Sequence, residues 1–288
     1  MRHASRYAYG SAVDLAAHMV HLRPRPLPFQ QVLSERIETA PAPARRRDGH
    51  DHFGNPVTWL FLDLPHADFE VVAESVVEVQ FPPAPIASET PAWELVAEDA
   101  RAPQGWRASE YRFDSGMAPA HPDTRAYAAE SFSPGRPVLD GLLDLNGRVK
   151  RDFHFRTGVT TVATPVGQVM KRGEGVCQDF SHVMISALRG LGLPARYVSG
   201  YIRTRPPPGL PRRQGADQSH AWVGCWLGPA LGWVDLDPTN DLIVRDEHVV
   251  LGWGRDYGDV SPIRGVILGG GHHSLSVTVD LEPADGTG

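Results

Sequence analysis

Hydrophobic and polar positions divide the chain into two kinds of pattern. Residues 55 to 81, "NPVTWLFLDLPHADFEVVAESVVEVQF", carry two runs rich in Val, Phe and Leu around a turn-like "PHAD", which predicts strands and a β-rich N-terminal third. The proline-dense "FPPAPIASETPA", 81 to 92, can continue neither a ladder nor a helix interior, so a linker is expected there. Beyond it the period becomes helical: Leu139, Leu142, Leu143, Val149 and Phe153 recur near i, i+3, i+4. A second helical face holds Phe180, Val183, Met184, Ala187, Leu188 and Leu191, ends at Gly190 or Gly192, and gives way to a strand from Ala195. Cys177 stands at the head of this helix.

Residues 220 to 227 alternate, with His220, Trp222, Gly224 and Trp226 on one face and Ala221, Val223, Cys225 and Leu227 on the other. A two-residue loop Pro229-Ala230, or a four-residue loop from 228 to 231, makes a hairpin in which Trp222 faces Asp237 and Gly224 faces Asp235. Both aspartates then share the face of His220, with Asp237 the nearer at a diagonal of roughly 7 to 8 Å. A three- or five-residue loop would shift the register by one and remove both from that face. Pro238 ends the strand and leaves Asp237 at a sheet terminus. Farther on, "HSLSVTVDL" alternates as a strand, "EPADGTG" reads as a frayed tail, and the Pro- and Arg-rich 203 to 217 reads as an exposed, mobile loop.

The expected organisation is α+β: a β-rich, sandwich-like domain at 1–85, a Pro-rich linker at 86–104, a catalytic core with the C-terminal strands at 105–282, and a disordered tail at 283–288. With 288 residues and 41% hydrophobic content, the chain can bury a sizeable core. Its 34 acidic and 28 basic residues give a formal charge of −6, which offers no electrostatic case for nucleic acid. The N-terminus lacks an apolar signal region and no window approaches 18 apolar residues, so a soluble cytoplasmic protein without membrane contact is expected.

Two cysteines 48 residues apart form neither a disulfide framework nor a zinc motif. His50/His52 and His272/His273 lack a helical HExxH context, so no metal and no cofactor are expected. Alone, Cys177 would read as a small buried thiol. A reactive cysteine needs its pKa lowered by a helix N-terminus or a nearby imidazolium, and the hairpin supplies an imidazole backed by a carboxylate. Cys177, His220 and Asp237 thus become the candidate nucleophile, base and orienting acid. His182, about 140° around the helix from Cys177, faces elsewhere, and Cys225 points away from His220.

The segments "GVCQDFSHVMISALRGLGLPARYVSGY", "SHAWVGCW" and "GWVDLDPTN" resemble the bacterial transglutaminase-like (cysteine protease) family. "HLRPRP", "DHFGNPV", "LPHADFEVVAES" and "VEV" resemble the β-rich region that precedes its core. The resemblance implies a papain-like core, with a nucleophile helix on an antiparallel sheet and a Cys177–His220–Asp237 triad. It also implies acyl transfer on an amide of a peptide or protein substrate through a thioester. The backbone N–H of Cys177 is one natural oxyanion donor, with Gln178 or Trp222 as the second or as cleft lining. Asp179 and Asp235 are expected behind the reacting groups. Hydrolysis is the default outcome; protein-glutamine cross-linking or deamidation is the alternative within the same chemistry, and a non-catalytic scaffold with a relic triad is the alternative outside it. Where other members often have an acidic residue after "HAWV", this chain has Gly224-Cys225. The N-terminal domain is expected to wall one side of the cleft.

Overall fold

A computed structural model of the chain describes residues 1–203 and 218–284. The N-terminal strands are β1 (Arg2–Val20), β2 (Gln30–Ala40), β3 (Arg45–His50), β4 (Pro56–Leu62) and β5 (His66–Val79). Helices follow: α1 (Trp93–Asp99), α2 (Trp106–Ser109), α3 (Pro122–Ala129) and α4 (Val138–Asp152), then the short β6 (His154–Phe155), α5 (Val166–Arg172), β7 (Glu174–Gly175) and α6 (Cys177–Gly190). The rest is β8 (Ala195–Ile202), β9 (Gln218–Trp226), β10 (Trp233–Asp237), β11 (Leu242–Ile243), β12 (His248–Gly254), α7 (Tyr257–Val260), β13 (Ile263–Gly269) and β14 (His273–Asp280). The fold is α+β, as the sequence pattern leads one to expect.

The β-rich region is one seven-stranded antiparallel sheet curled into a half-barrel around Val13, Leu60, Leu62, Phe69 and Val71. Its long first strand changes neighbours along its length. Residues 2 to 8 lie between β5 and β14, whereas 16 to 20 lie between β4 and β13. The C-terminal strands, expected with the core, therefore belong to the N-terminal sheet. Alternation in "HSLSVTVDL" announces a strand but not its partner.

The expected linker also differs, because α1 lies inside it and buries Val96 and Ala97 in the core around α6. Of the expected loop at 203 to 217, residues 204 to 217 lie outside the described residues, as do 285 to 288 of the expected tail.

The second half consists of helices on a five-stranded antiparallel sheet ordered β11-β10-β9-β8-β12. Helix α6 is buried along most of its length, with Phe180, Met184, Ile185 and Leu188 all within 2% exposure. Burying each such side chain contributes about 2 kcal/mol. Odd-numbered residues of β9, Ala221, Val223 and Cys225, join that core. A third apolar cluster, Tyr201, Val249 and Leu251 with Val279 and Leu281, ties the second sheet to the last strand.

Candidate active site

The head of α6 is built by a short sequence of turns. Gly173 closes α5 in the left-handed region at φ 65°, and β7 then pairs with β6. Val176 is extended, and the helix starts at Cys177. Asp179, in the first turn, accepts from the backbone N–H of Val176 at 2.8 Å and from the Thr160 hydroxyl at 2.7 Å. A Cβ at Gly175 would sit 2.8 Å from that carboxylate, so only glycine lets it fold back over the helix start. Burial pushes the Asp179 carboxyl up, with the bonds from Val176 and Thr160 opposing. The Cys177 thiol is half-buried at the mouth of a cleft.

The hairpin register is the one expected from a four-residue loop. Leu227 N–H donates to Gly232, Trp233 pairs with Trp226, and Asp235 pairs with Gly224. His220 Nε2 lies 2.7 Å from Asp237 Oδ2, with the carboxylate fully buried. Asp237 Oδ1 accepts from the backbone N–H groups of Thr239 (2.9 Å) and Asn240 (3.2 Å), and Oδ2 accepts from the Asn240 amide (2.7 Å). Pro238 turns the chain so that these donors fold back onto the strand end. Burial alone would raise Asp237; bonds from His220, His248 and Asn240 outweigh it and hold the carboxyl well below the usual range.

For His220, burial works against the charged ring. Hydrogen bonds to Asp237 and to Cys177 overcome that cost, and the imidazolium is pushed up to about 10. Since Nε2 is committed to Asp237, Nδ1 is the ring nitrogen left for the thiol.

The cleft encloses about 520 Å³. Cys177, Gln178, Tyr197, His220 and Tyr257 line one side, while His3, Ser5, Tyr7, Leu275, Val277 and Val279 of the half-barrel line the other. His3 is also buried, yet its ring nitrogens meet only hydroxyls, Ser5 Oγ and Tyr201 Oη, each at 2.8 Å. Burial lowers it to about 4.

Among the described residues, His220, Asp237 and His248 place ligand-type atoms within 4.8 Å of one another. The 2.7 Å contact between His220 and Asp237 is a hydrogen bond. A tetrahedral ion with bonds of about 2.1 Å would hold its ligands about 3.4 Å apart.

Comparison with known proteins gives the family. Residues 1–78 match the bacterial transglutaminase-like N-terminal region, and residues 125–238 match the transglutaminase-like superfamily core. An uncharacterized protein of Mycobacterium tuberculosis is 39% identical over 99% of this chain and 92% of its own length. The chain belongs to the bacterial transglutaminase-like family. A crystal structure of a "Putative Cysteine Protease" from Cytophaga hutchinsonii is 18% identical, covers 99% of this chain and 92% of its own, and superposes with a TM-score of 0.69, which shows the shared fold. A short stretch is 36% identical to the protein-glutamine gamma-glutamyltransferase of Pseudomonas aeruginosa, over 24% of this chain and 10% of that protein.

Within this transglutaminase-like core the other singled-out residues fall as follows. Gln178 lines the cleft, and its amide donates to Val162 O at 3.3 Å. Trp222, expected at the oxyanion or along the cleft, does neither: it is fully buried and its indole N–H donates to Asp235 at 3.0 Å. Asp235 thus holds Trp222, with Arg196 3.7 Å from its other oxygen. Arg196 lies between the rings of Trp233 and Trp253, and it crosses Gly224 so closely that a Cβ there would come 2.6 Å from its Nε. The departure from "HAWV" plus an acidic residue therefore has a packing reason at Gly224. His182 accepts from the Tyr257 N–H and is lowered to about 4 by burial, and Cys225 is buried with its thiol raised well above the ordinary value.

Sequence reasoning missed Thr239, Asn240 and His248. The first two carry a readable signal, since Asp followed by Thr and Asn favours a turn in which the carboxylate bonds the backbone two residues on. His248 carries none, because two strands separate β12 from β10 in the sheet order, yet its Nε2 stands 3.4 Å from Asp237.

Proposed function

We propose that this protein is a cysteine-dependent enzyme that transfers the acyl group of an amide through a Cys177 thioester, with water as the ordinary acceptor. The observation that carries this reading is the buried 2.7 Å His220–Asp237 pair whose ring also bonds the Cys177 thiol. An imidazolium beside a thiol, at a helix N-terminus, is the setting that favours thiolate.

The thiolate adds to the amide carbonyl carbon, and the carbonyl electrons move to oxygen. The N–H of Cys177 at the start of α6 faces that oxyanion, with the Gln178 amide as the second candidate donor. His220 then gives its proton to the amide nitrogen as the C–N bond breaks, which leaves a thioester and a free amine. Next, His220 takes a proton from water as its oxygen attacks the thioester. The tetrahedral adduct then collapses as the C–S bond breaks, and the acid product leaves the thiolate beside the imidazolium once more. Asp237 holds the ring throughout, with its own oxygens fixed by Thr239 and Asn240. Among the described residues the cleft walls carry no Asp, Glu, Lys or Arg, which suits an uncharged stretch of peptide or protein chain.

Iodoacetamide near pH 6 tests the reading. Cys177 should be alkylated far faster than Cys225, and His220→Ala should slow it. Equal reactivity at the two thiols would overturn the proposal in favour of a scaffold with a relic triad.

A second reading, transfer to an amine instead of water, is supported by the stretch shared with a protein-glutamine gamma-glutamyltransferase. Mass analysis of glutamine peptides incubated with and without a primary amine separates the two, because only transfer adds the amine's mass.

A further inference from the structure

One buried imidazole beside the triad has no part in the chemistry described so far. His248 opens β12, is 2% exposed, and directs Nε2 at Asp237 Oδ2 from 3.4 Å, the same oxygen that His220 Nε2 meets at 2.7 Å. Two rings that share one carboxylate oxygen must each present an N–H there. At His248 the opposite nitrogen, Nδ1, is buried with no partner among the described residues. A neutral ring with its single hydrogen on Nε2 fits both facts. The ring is held in place by Trp222, whose indole meets it edge-on at 5.2 Å and is itself fixed by Asp235. Around it, Asp237 faces it from β10, His220 from β9, and Ile202 pairs with it from β8. The nearest charged residues along the chain are Asp246 and Glu247, and Glu247 O accepts from the N–H of Arg203, which lies just past the end of β8.

We propose that His248 is a positioning residue that acts through Asp237: its Nε2–H draws off part of the carboxylate's charge and keeps Oδ2 aimed along the line to His220. The role rests on the acyl-transfer reading, but the device itself is a property of the resting protein. A carboxylate that meets a second donor attracts the imidazolium less than one that faces it alone. Without His248, Asp237 keeps its bonds from Thr239 and Asn240 but loses one donor at Oδ2, so more of its charge falls on His220, the ring holds its proton more tightly, and release to the leaving amine becomes harder.

The test is a ¹⁵N NMR titration of the imidazoles in the wild-type protein, His248→Phe and His248→Gln, with Cys177 alkylation measured alongside. In His248→Phe the His220 titration should move upward by about one pH unit, the scale of losing one hydrogen bond to a charged group. His248→Gln, which keeps a donor, should bring it back to within about a third of that shift. Coincident titrations in wild type and His248→Phe, or a Gln variant shifted as far as Phe, would overturn the proposal. The wild-type spectrum decides independently of whether the Phe variant folds: hydrogen on Nε2 of His248 is expected, and hydrogen on Nδ1 alone would overturn it. If Cys177 proves no more reactive than Cys225, the acyl-transfer reading fails while the His220 titration still reports on His248.

Discussion

His3 and His220 stand on opposite walls of one cleft, both nearly out of reach of water, and their proton affinities lie on opposite sides of the free side chain. His3, in the half-barrel, meets two hydroxyls and is lowered to about 4 by burial. His220, on the sheet, meets a carboxylate and a thiol, which overcome burial and push it up to about 10. The cost of desolvating an imidazolium is common to both, so the partner decides the sign. One wall is uncharged, with hydroxyls and apolar side chains, while the other keeps a charged pair.

The strongest way to break this contrast is to remove its charged side. Cys177→Ala should abolish turnover, and His220→Ala should slow Cys177 alkylation at pH 6 by about 10²-fold or more, the lower end of what a positioned acid–base group supplies. Next comes Asp237→Asn, which strands His220 in a buried site and should destabilise the fold by about 3 to 5 kcal/mol in denaturant titrations near pH 6. Because the folded pKa of His220 lies above the unfolded value, its contribution is complete below about 6.5 and is lost as pH rises toward 10. The stability gap between wild type and Asp237→Asn should therefore shrink over that interval; a constant gap would contradict the assignment.

His3 has the opposite sign. Its folded pKa is depressed, so the unfolded chain takes up a proton that the folded chain refuses, and stability falls as pH drops from 6.5 to 4. The share of one such group is about 3 kcal/mol at the acid end. His3→Gln should flatten the acid slope of the unfolding midpoint while leaving Cys177 alkylation at pH 7 nearly unchanged. The smallest effect is expected from Trp222→Phe, which deletes the bond to Asp235 and should cost about 1 to 2 kcal/mol. Cys177 alkylation should stay within a few-fold of wild type.

What was legible in the sequence follows the range of the interactions. The register that places Asp237 beside His220, and Asp235 one pair further out, depends on a single hairpin with a four-residue loop, so alternation and turn length contain it. Helix α6 announces itself through the period of Phe180, Met184 and Leu188. Contacts between strands that are not neighbours in the sheet left no local trace. His248 reaches Asp237 across two intervening strands, and nothing in residues 244 to 252 marks that approach. Trp222 was misplaced for a related reason: its face was right, but Asp235 on that face takes the indole N–H, and burial closes the ring off from the cleft. The helix at Trp93–Asp99 lay hidden in proline-rich surroundings, where Val96 and Ala97 alone signal the core they join.

Residues 2 to 9 pair with 273 to 280 over eight successive registers, so one wall of the cleft is stitched from opposite ends of the described chain. During synthesis, helix, histidine and aspartate all leave the ribosome before the last strand does, and a pairing so distant in sequence forms late. A growing chain would hold Cys177 beside an open groove with no opposing face. Arrival of β14, more than ninety residues after Cys177, would then be the step that gives the cleft its second wall.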